Sequence, residues 1–318
     1  MKQFFLFLSL ILSVHVYSQS TLMRIHKKDG TVQDHPINTI DSITYVSQDP
    51  SQSIAAIVSN NPNFSLLKQA VVRAGLVDAL SGGTLTVFAP DNAAFAASGI
   101  NEAAINNLSV SDLTGILTYH VVNGKVSSTQ VPASDTVNPL SGVNLYASNN
   151  ANGVFINGIK VKSADISASN GIIHVISKVL IPPTKTIAQL AAEDPELSTA
   201  KQALDYSGLT STFNGPGKYT VFVPTNAALD PIAGFILSQT RSVVASILKS
   251  HVIGFNVFAS DLINGNEAPS LQTGNTIVIG TNPATVKRKG APGSASKIIA
   301  ADIIGTNGVI HKIDKIME

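Results

Sequence analysis

The stretch NPNFSLLKQAVVRAGL at residues 61–76 decides the fold, because it returns as DPELSTAKQALDYSGL at residues 194–209. Pro, Ser, Lys-Gln-Ala and Gly-Leu keep the same relative positions in both copies. Three further blocks repeat in the same order: LTVFAPDNAAF (85–95) with YTVFVPTNAAL (219–229), ILTYHVVNG (116–124) with ILKSHVIGF (247–255), and NGIIHVISKVL (170–180) with NGVIHKIDKIM (307–317). A period this long has the size of a whole domain. The sequence therefore predicts two tandem domains of one type.

The first residues predict a secretory signal peptide. Lys2 precedes the apolar run Phe4–Val16, which is too short to span a bilayer comfortably. Small residues around Ser18 suit cleavage before Gln19, so residues 1–18 are expected to be removed. We expect a soluble exported protein, periplasmic or secreted, without a transmembrane anchor. The sequence contains no Cys, which excludes a disulfide framework and thiol chemistry.

Composition narrows the class of protein. The hydrophobic content of 44% is enough for two cores, so disorder is not expected outside linkers. A net charge of +1 with 13% charged residues argues against nucleic acid as a partner, because no basic stripe is present to release counterions.

Residues 19–50 predict a short β-hairpin segment ahead of the repeats. Two apolar stretches, Leu22–Ile25 and Thr31-Val32, flank Asp29-Gly30, which is a strong signal for a two-residue turn. A further short strand is indicated by three apolar residues: Ile40, Ile43 and Tyr45.

Each repeat predicts helices first and an antiparallel β half afterwards. In the first copy, helical spacing indicates helices at 54–58, 64–74 and 113–121, with a strand at 84–89 between them. Asn170-Gly171 and its counterpart Asn307-Gly308 suit hairpin turns before the closing strands. The pattern predicts two α+β domains, at residues 51–183 and 184–318, joined by a stiff linker at Ile181-Pro182-Pro183-Thr184.

The repeated blocks resemble the fasciclin (FAS1) domain over nearly all of residues 51–318. The matching motifs are TVFAPDNAAF (86–95), TVFVPTNAA (220–228), Tyr119-His120, NGIIHVI (170–176) and NGVIHKID (307–314). The second copy departs from the family pattern at Ser250, which replaces the Tyr of the Tyr-His pair, and at Leu229, which replaces Phe95. The resemblance implies a β-wedge or sandwich covered by helices.

The same resemblance implies cell adhesion or extracellular-matrix contact, without catalysis and without a cofactor. The expected partner is a protein or polysaccharide at a cell surface or matrix. In animal relatives the Tyr-His region is linked with adhesion, which makes Tyr119 and His120 candidate binding residues. The alternative function is a periplasmic or surface module that binds a glycan or small ligand in the groove between helices and β half.

Paired histidines raise the question of a hydrolase, since Asp165 and Asp302 each stand nine residues before a histidine. Helical and strand spacing, however, place the histidines on core-facing positions, where they are expected to be neutral and hydrogen-bonded. No Gly-x-Ser-x-Gly elbow is present. We therefore predict structural roles for His120, His174, His251 and His311.

Neither metal-ligand spacing nor a phosphate-binding glycine loop is found in the sequence. Asp91 and Thr225 follow a strand-ending Pro and are predicted to cap the next helix through their side chains.

Two loops are the remaining candidates for binding. One is Asn123-Gly124-Lys125, which follows the Tyr-His helix. The other, Lys287-Arg288-Lys289 in the loop 287–293, is the basic cluster of the chain, where the second copy carries extra residues. It has two interpretations, a solvated hairpin tip or a docking patch for an acidic polymer or membrane headgroup.

Overall fold

The computed structural model describes residues 22–26, 32–36, 51–281 and 283–317. The chain divides into two compact units, Met1–Ser47 and Gln48–Glu318. The signal peptide predicted at 1–18 lies outside the described residues, as does the strand predicted around Ile40.

The first unit contains an antiparallel strand pair, β1 (Leu22–His26) and β2 (Val32–Pro36), with His26 opposite Val32. Five residues lie between the paired residues His26 and Val32. A two-residue turn centred on Asp29-Gly30 would leave an even number of residues between any two paired residues. The register therefore differs from the predicted one, and the turn itself lies outside the described residues.

The first repeat begins with helices, as its apolar spacing predicts. Their bounds are α1 Ile54–Asn60, α2 Ser65–Arg73, α3 Val77–Ser81, α4 Asn92–Ala97, α5 Glu102–Asn107 and α6 Val110–Tyr119. Short 3₁₀ turns lie at Pro62–Phe64 and Ser128–Gln130. The helix α6 ends earlier than predicted, so His120 follows it as its C-cap.

Seven described strands form the sheet of the first repeat, in the order β4-β3-β9-β8-β7-β6-β5. Their bounds are β3 Leu85–Pro90, β4 Val121–Asn123, β5 Ser134–Val137, β6 Leu145–Asn150, β7 Gly153–Ile156, β8 Ile159–Ala168 and β9 Gly171–Ile176.

The second repeat has the same succession of elements. Its helices are α7 Ile187–Glu193, α8 Ser198–Ser207, α9 Thr210–Asn214, α10 Asn226–Leu229, α11 Ala233–Ser238 and α12 Arg241–Ser250. Its strands are β10 Tyr219–Pro224, β11 Val252–Ile253, β12 Glu267–Pro269, β13 Thr276–Thr281, β14 Ala284–Arg288, β15 Ser296–Gly305 and β16 Gly308–Ile313. The sheet order β11-β10-β16-β15-β14-β13-β12 matches the first, so the α+β prediction is confirmed.

One pair of strands in each sheet corrects the prediction of an antiparallel β half. The closing strand lies parallel to the first strand of its domain, β9 beside β3 and β16 beside β10. The chain can form this pair because the helices and the outer strands connect its two members, as a parallel crossover requires. The other neighbouring strands are antiparallel.

The strand β3 is buried along its whole length, because apolar layers cover both of its faces. Val87 and Ala89 join the core beneath the helices. Phe88, which points to the opposite face, joins a second core with Leu145 and Ile156 of the outer strands. A central strand covered on both sides accounts for the continuous apolar run of the sequence.

The predicted hairpin turns are present but shifted by one residue. Ala168 pairs with Gly171, so the turn residues are Ser169 and Asn170, and Gly171 is the first residue of β9. A Cβ on Gly171 would stand 1.9 Å from the carbonyl oxygen of Leu85. Gly308 meets the same obstacle, 2.2 Å from the carbonyl oxygen of Tyr219. Close backbone approach, more than turn geometry, requires glycine there.

The two repeats contact each other within the second compact unit. The ring of Tyr146 packs against the ring of Phe258, with 4.9 Å between the ring centres. Beside them, the Asn150 side-chain amide donates a hydrogen bond to the carbonyl oxygen of Ser260 at 3.0 Å. The contact therefore combines a buried aromatic pair with a directional polar bond.

Candidate functional site

His120 joins the end of α6 to the chain that leaves the first domain. Its Nδ1 lies 2.8 Å from the carbonyl oxygen of Ile116, and its Nε2 lies 2.9 Å from the amide nitrogen of Leu180. A carbonyl can only accept, so Nδ1 carries the proton and Nε2 accepts from Leu180. Both ring nitrogens are thus used by the backbone.

His251 repeats this arrangement in the second domain. Its Nδ1 donates to the carbonyl oxygen of Ile247 at 2.9 Å, and its Nε2 accepts from the amide of Met317 at 2.9 Å. Burial lowers the pKa of both His120 and His251 to about 4, against which the backbone hydrogen bonds act only partly. The two rings are therefore neutral at neutral pH.

His174 fixes a loop of the first domain. Its Nε2 donates to the carbonyl oxygen of Val126 at 2.9 Å, and its Nδ1 accepts from the backbone amide of Asp165 at 3.3 Å. The Asp165 carboxylate faces Ser128, accepting from its amide at 2.9 Å and from its hydroxyl. Burial alone would raise the pKa of Asp165. The hydrogen bonds from Ser128 together have the larger effect, so the pKa of Asp165 is lowered.

His311 has the same position in the second domain, with Nε2 donating to Val257 at 2.8 Å. Ala259 takes the place of Ser128 in the second domain. The Asp302 carboxylate therefore accepts a hydrogen bond from the backbone amide of Ala259 at 2.8 Å, and no hydroxyl is available for a second one. Burial raises the pKa of Asp302 and lowers that of His311. The Asp302 carboxyl also borders Gly158 of the first domain.

This geometry does not form a catalytic triad in the described residues. In each His–Asp pair the ring accepts from the aspartate backbone and donates to a carbonyl, so no ring nitrogen remains to activate a hydroxyl. Nor do the described residues hold a cluster of three or more His, Asp or Glu suited to a metal ion.

Tyr119 lies at the centre of a buried hydrogen-bond chain. Its hydroxyl donates to the carbonyl oxygen of Asn144 at 3.1 Å and accepts from the Asn157 amide at 2.8 Å. The Asn157 side chain in turn accepts from the Tyr146 amide at 2.8 Å. Burial raises the pKa of Tyr119 to about 12. Tyr119 is 0% and His120 2% exposed, so neither side chain reaches the surface, and their role in partner binding stays a prediction.

The loop at Asn123-Gly124-Lys125 is at the surface. Both Asn123 and Lys125 are exposed. Gly124 holds the loop in place, with its amide bound to the carbonyl oxygen of Thr84 at 2.8 Å and a φ of 87°. Its exposed side chains stay candidates for binding.

Asp91 makes the predicted side-chain hydrogen bond to the start of its helix, whereas Thr225 does not. The Asp91 carboxylate accepts the amide of Ala94 at 2.8 Å and also pairs with Lys162. Thr225 occupies the N-cap position of α10, but its hydroxyl makes no capping bond. A neutral hydroxyl is a weaker acceptor than a carboxylate. The second copy also replaces Lys162 by Ile299, which removes the cationic partner.

The basic segment is arranged differently from the predicted loop. Lys287 and Arg288 belong to the strand β14 and are half-buried, and the turn begins only at Lys289. Lys289 pairs with Glu267 at 2.8 Å, and both side chains are exposed. Seven residues connect β14 to β15, whereas two connect the equivalent strands β7 and β8. The extra residues of the second copy are therefore located here.

This insertion forms one wall of a cleft of about 340 Å³, here called the insertion cleft. Lys287 and Lys315 contribute positive charge to it, and Lys315 also donates to the Ser294 hydroxyl at 2.8 Å. The Asp314 carboxylate accepts the backbone amide of Lys297 at 2.7 Å. The remaining lining is small or apolar: Ala228, Ile232, Ala291, Gly293, Ser296, Ile316 and Met317.

The sequence did not indicate this cleft, although the length difference between the copies marks its position. Lys315 was missed because it lies 28 residues beyond Lys287 and comes near it only in the fold. The strand pairing that brings them together is non-local and leaves no trace in residue spacing.

Two α+β domains, each with a parallel central strand pair and core-facing histidines, define a tandem-repeat class of protein. The family model of the fasciclin domain matches the chain twice, at residues 62–182 and 195–318. These matches cover most of the sequence, and the chain belongs to the fasciclin domain family.

Several known proteins are similar to this chain. Transforming growth factor-beta-induced protein ig-h3 of Sus scrofa is 27% identical over 242 residues, which are 74% of this chain and 35% of that protein. Protein sll1483 of Synechocystis sp. is 41% identical over 159 residues, 48% of this chain and 88% of that protein. The aligned part is thus about a third of the length of ig-h3.

Among solved structures, the FAS1 domain pair of the insect cell adhesion molecule fasciclin I aligns with this chain at 21% identity and a TM-score of 0.40. The alignment covers 80% of this chain and 97% of that one. Within the described residues, no helix is both long and apolar enough to cross a membrane.

Proposed function

We propose that this chain is an exported, non-enzymatic protein that attaches to a polysaccharide or protein at a cell surface or in a matrix. The proposal depends mainly on one contrast between its two domains. The polar groups that they share, the histidines above all, hydrogen-bond to the fold, whereas the insertion cleft belongs to one domain and is at the surface. The similar protein MPB83 of Mycobacterium bovis, 33% identical over 151 residues, is named a cell surface glycolipoprotein, which supports the proposal.

The chemistry of the insertion cleft suits an anionic polymer. Two lysines, Lys287 and Lys315, line a concave surface together with one carboxylate, that of Asp314, which is bound to the backbone amide of Lys297, and the rest of the lining is small or apolar. Cations at or near the surface attract an acidic chain over about 10 Å at moderate salt, and a volume of ~300 Å³ or more is usual for ligand sites. Two domains on one chain raise avidity when the partner is repetitive, because the second contact forms at high effective concentration.

We propose a non-enzymatic role because the histidine ring nitrogens are hydrogen-bonded to the backbone. A hydrolase would need an imidazole nitrogen beside a nucleophile, and both nitrogens of His174 and of His311 are taken by backbone groups. Ester and peptide hydrolysis assays on the purified chain therefore give no activity above background. Activity that disappears with His174→Ala and His311→Ala would contradict the non-enzymatic role.

An adhesion assay tests the proposed role directly. Surfaces coated with the purified chain retain cells of the producing organism, and soluble chain competes with that retention. Retention equal to that on albumin-coated surfaces would contradict the proposal.

Export is part of the proposal, with residues 1–18 removed. N-terminal sequencing of the protein recovered outside the cytoplasm gives Gln19 as the first residue. Recovery from the cytoplasm with Met1 intact would contradict export.

A further inference from the structure

The second domain contains an apolar cavity of about 80 Å³ between its helices and its sheet. Residues of α7, α8 and α12 form its helical side, and β10 and β16 form its floor. Ala191, Ala200, Val244 and Ile310 are among the lining residues. The corresponding space of the first domain measures about 40 Å³.

The larger cavity follows from substitutions between the two copies. At four equivalent core positions the second domain has the smaller side chain: Val58 to Ala191, Leu67 to Ala200, Phe95 to Leu229, and Leu113 to Val244. Several positions change in the opposite direction, among them Val71 to Leu204, Leu80 to Phe213, Leu85 to Tyr219 and Ala89 to Val223. The rings of Phe213 and Tyr219 pack edge to face with each other, and Tyr219 does not line the cavity. The other three larger side chains do line it and fill part of the space, and about 80 Å³ remains open.

Side chains pack less closely around this cavity than around the equivalent space of the first domain, as a comparison of identical residues shows. Val87 in the first domain is 3% exposed, whereas its counterpart Val221 is half-buried. Leu117 is 6% exposed, and its counterpart Leu248 is again half-buried. Because the residue types are the same, the difference lies in the packing around them.

The lining selects for apolar ligands. His251 is the polar ring in it, and both of its nitrogens are already bound to Ile247 and Met317. Lys201 reaches the cavity with its stem, while its ammonium group pairs with Asp205. A polar ligand would lose its hydration without finding a partner, which is costly.

We infer that the second domain binds a short alkyl group in this cavity, either a small hydrocarbon or the end of an aliphatic chain. The size supports this class, because a cavity of ~150 Å³ lined by Leu, Ile and Phe binds benzene, and this one has about half that volume. The site goes beyond the proposed adhesion function, and it shares one lining residue, Ile316, with the insertion cleft.

Methyl NMR of the full chain, titrated with xenon and with n-butane, tests the site. Saturable shifts are expected for Val221, Leu248 and Ile310 in the second domain, and none for Val87 and Leu117 in the first. Ala200→Leu restores the residue of the first domain and is expected to weaken binding at least tenfold. If that variant does not fold, Val244→Leu fills the cavity by one methylene and weakens binding less.

The reverse substitution Leu67→Ala serves as the matched control, since it opens the equivalent space and is expected to add saturable shifts in the first domain. The inference would be overturned by the absence of saturable shifts in the unmodified chain. It would equally be overturned by shifts that persist unchanged in both cavity-filling variants. Cell retention in the adhesion assay is independent of all these variants, so the two proposals fail separately.

Discussion

At the scale of single residues, buried histidines fix the ends of both domains. His120 holds the amide of Leu180, at the start of the predicted linker, and His251 holds that of Met317, near the end of the chain. A buried ring whose two nitrogens are both bonded avoids the cost of unsatisfied polar groups. Each ring therefore acts as a structural clamp between its helix and the segment that leaves its domain.

These histidines predict a loss of stability in acid. Their folded-state pKa of about 4 lies below the unfolded value of 6.5, so the unfolded chain binds more protons between these pH values. The contribution of each neutral histidine to the free energy of unfolding is fully present above pH 6.5. It is lost as the pH decreases to 4, and the loss is on the order of 3 kcal/mol for each histidine. Denaturant titrations of the chain and of His120→Gln with His251→Gln at pH 7 and pH 4.5 measure this. An equally steep loss in the double variant would contradict it.

Exchanging equivalent core residues between the two domains is expected to have opposite effects on their stability. Leu67→Ala removes a side chain that is 3% exposed and should destabilise the first domain by about 2–5 kcal/mol. Ala200→Leu fills space in the second domain and should stabilise it by roughly 0.5–2 kcal/mol. Thermal unfolding of both variants checks the pair. Destabilisation by both substitutions would mean that the second core has no room at Ala200.

Core-facing positions of the histidines could be predicted from the sequence, because helical and strand spacing places them beside apolar residues. Their hydrogen-bond partners could not, since Leu180 is 60 residues from His120. The burial of Tyr119 could not be predicted from the sequence either. It depends on Asn157, whose amide contacts the hydroxyl from a turn 38 residues away.

At the scale of elements, the Asn-Gly pairs place the closing strand against the first strand. The Asn170 side chain accepts the first amide of α1, from Ile54, at 2.8 Å and donates to the carbonyl oxygen of Leu80 at 3.0 Å. Gly171 then lets β9 approach β3 without a side chain between them. One dipeptide thus joins the helical layer to the centre of the sheet.

Gly171→Ala should be far more damaging than a glycine replacement elsewhere. Its Cβ would overlap the carbonyl oxygen of Leu85, so β3 and β9 would have to separate, at a cost of about 4 kcal/mol or more. Gly99→Ala is the control, because Gly99 has a φ of 68° but nothing within 4 Å, and it should cost only about 1–2 kcal/mol. Equal melting temperatures for the two variants would contradict the close-approach explanation.

The order of helices and strands was predictable because each has its own periodicity and its own end signals. The parallel pairing of β3 with β9 was not, because these strands are more than 80 residues apart and short apolar strands carry no information on direction. The one-residue shift of the hairpin has the same cause, since contact with β3 decides which residue must be glycine.

At the scale of the whole molecule, the contact between the two domains uses positions at which the copies differ. Phe258 corresponds to Ser127 in the first copy, and Tyr146 corresponds to Val278 in the second. Comparing the repeats therefore could not reveal the contact, because a shared motif marks the common fold and not the surface between the copies.

Phe258→Ser should loosen that contact. The ring is 2% exposed, and its loss removes about 1.5–3 kcal/mol of apolar burial. Small-angle X-ray scattering is expected to give a larger radius of gyration for this variant. Phe255→Ser, at an exposed phenylalanine of the same domain, should leave the radius unchanged. An unchanged radius in both variants would show that the aromatic pair does not hold the domains together.

The most direct test of the account measures binding of the full chain to immobilised alginate, an anionic polysaccharide, and to neutral dextran at several salt concentrations. Binding to alginate that weakens with salt, and no binding to dextran, is predicted. Lys287→Ala with Lys315→Ala should reduce alginate binding at least fivefold, whereas Lys68→Ala, at an exposed lysine of the first domain, should change it less than twofold. Equal binding of both polymers, or equal losses in the double variant and the Lys68 control, would contradict attachment through the insertion cleft.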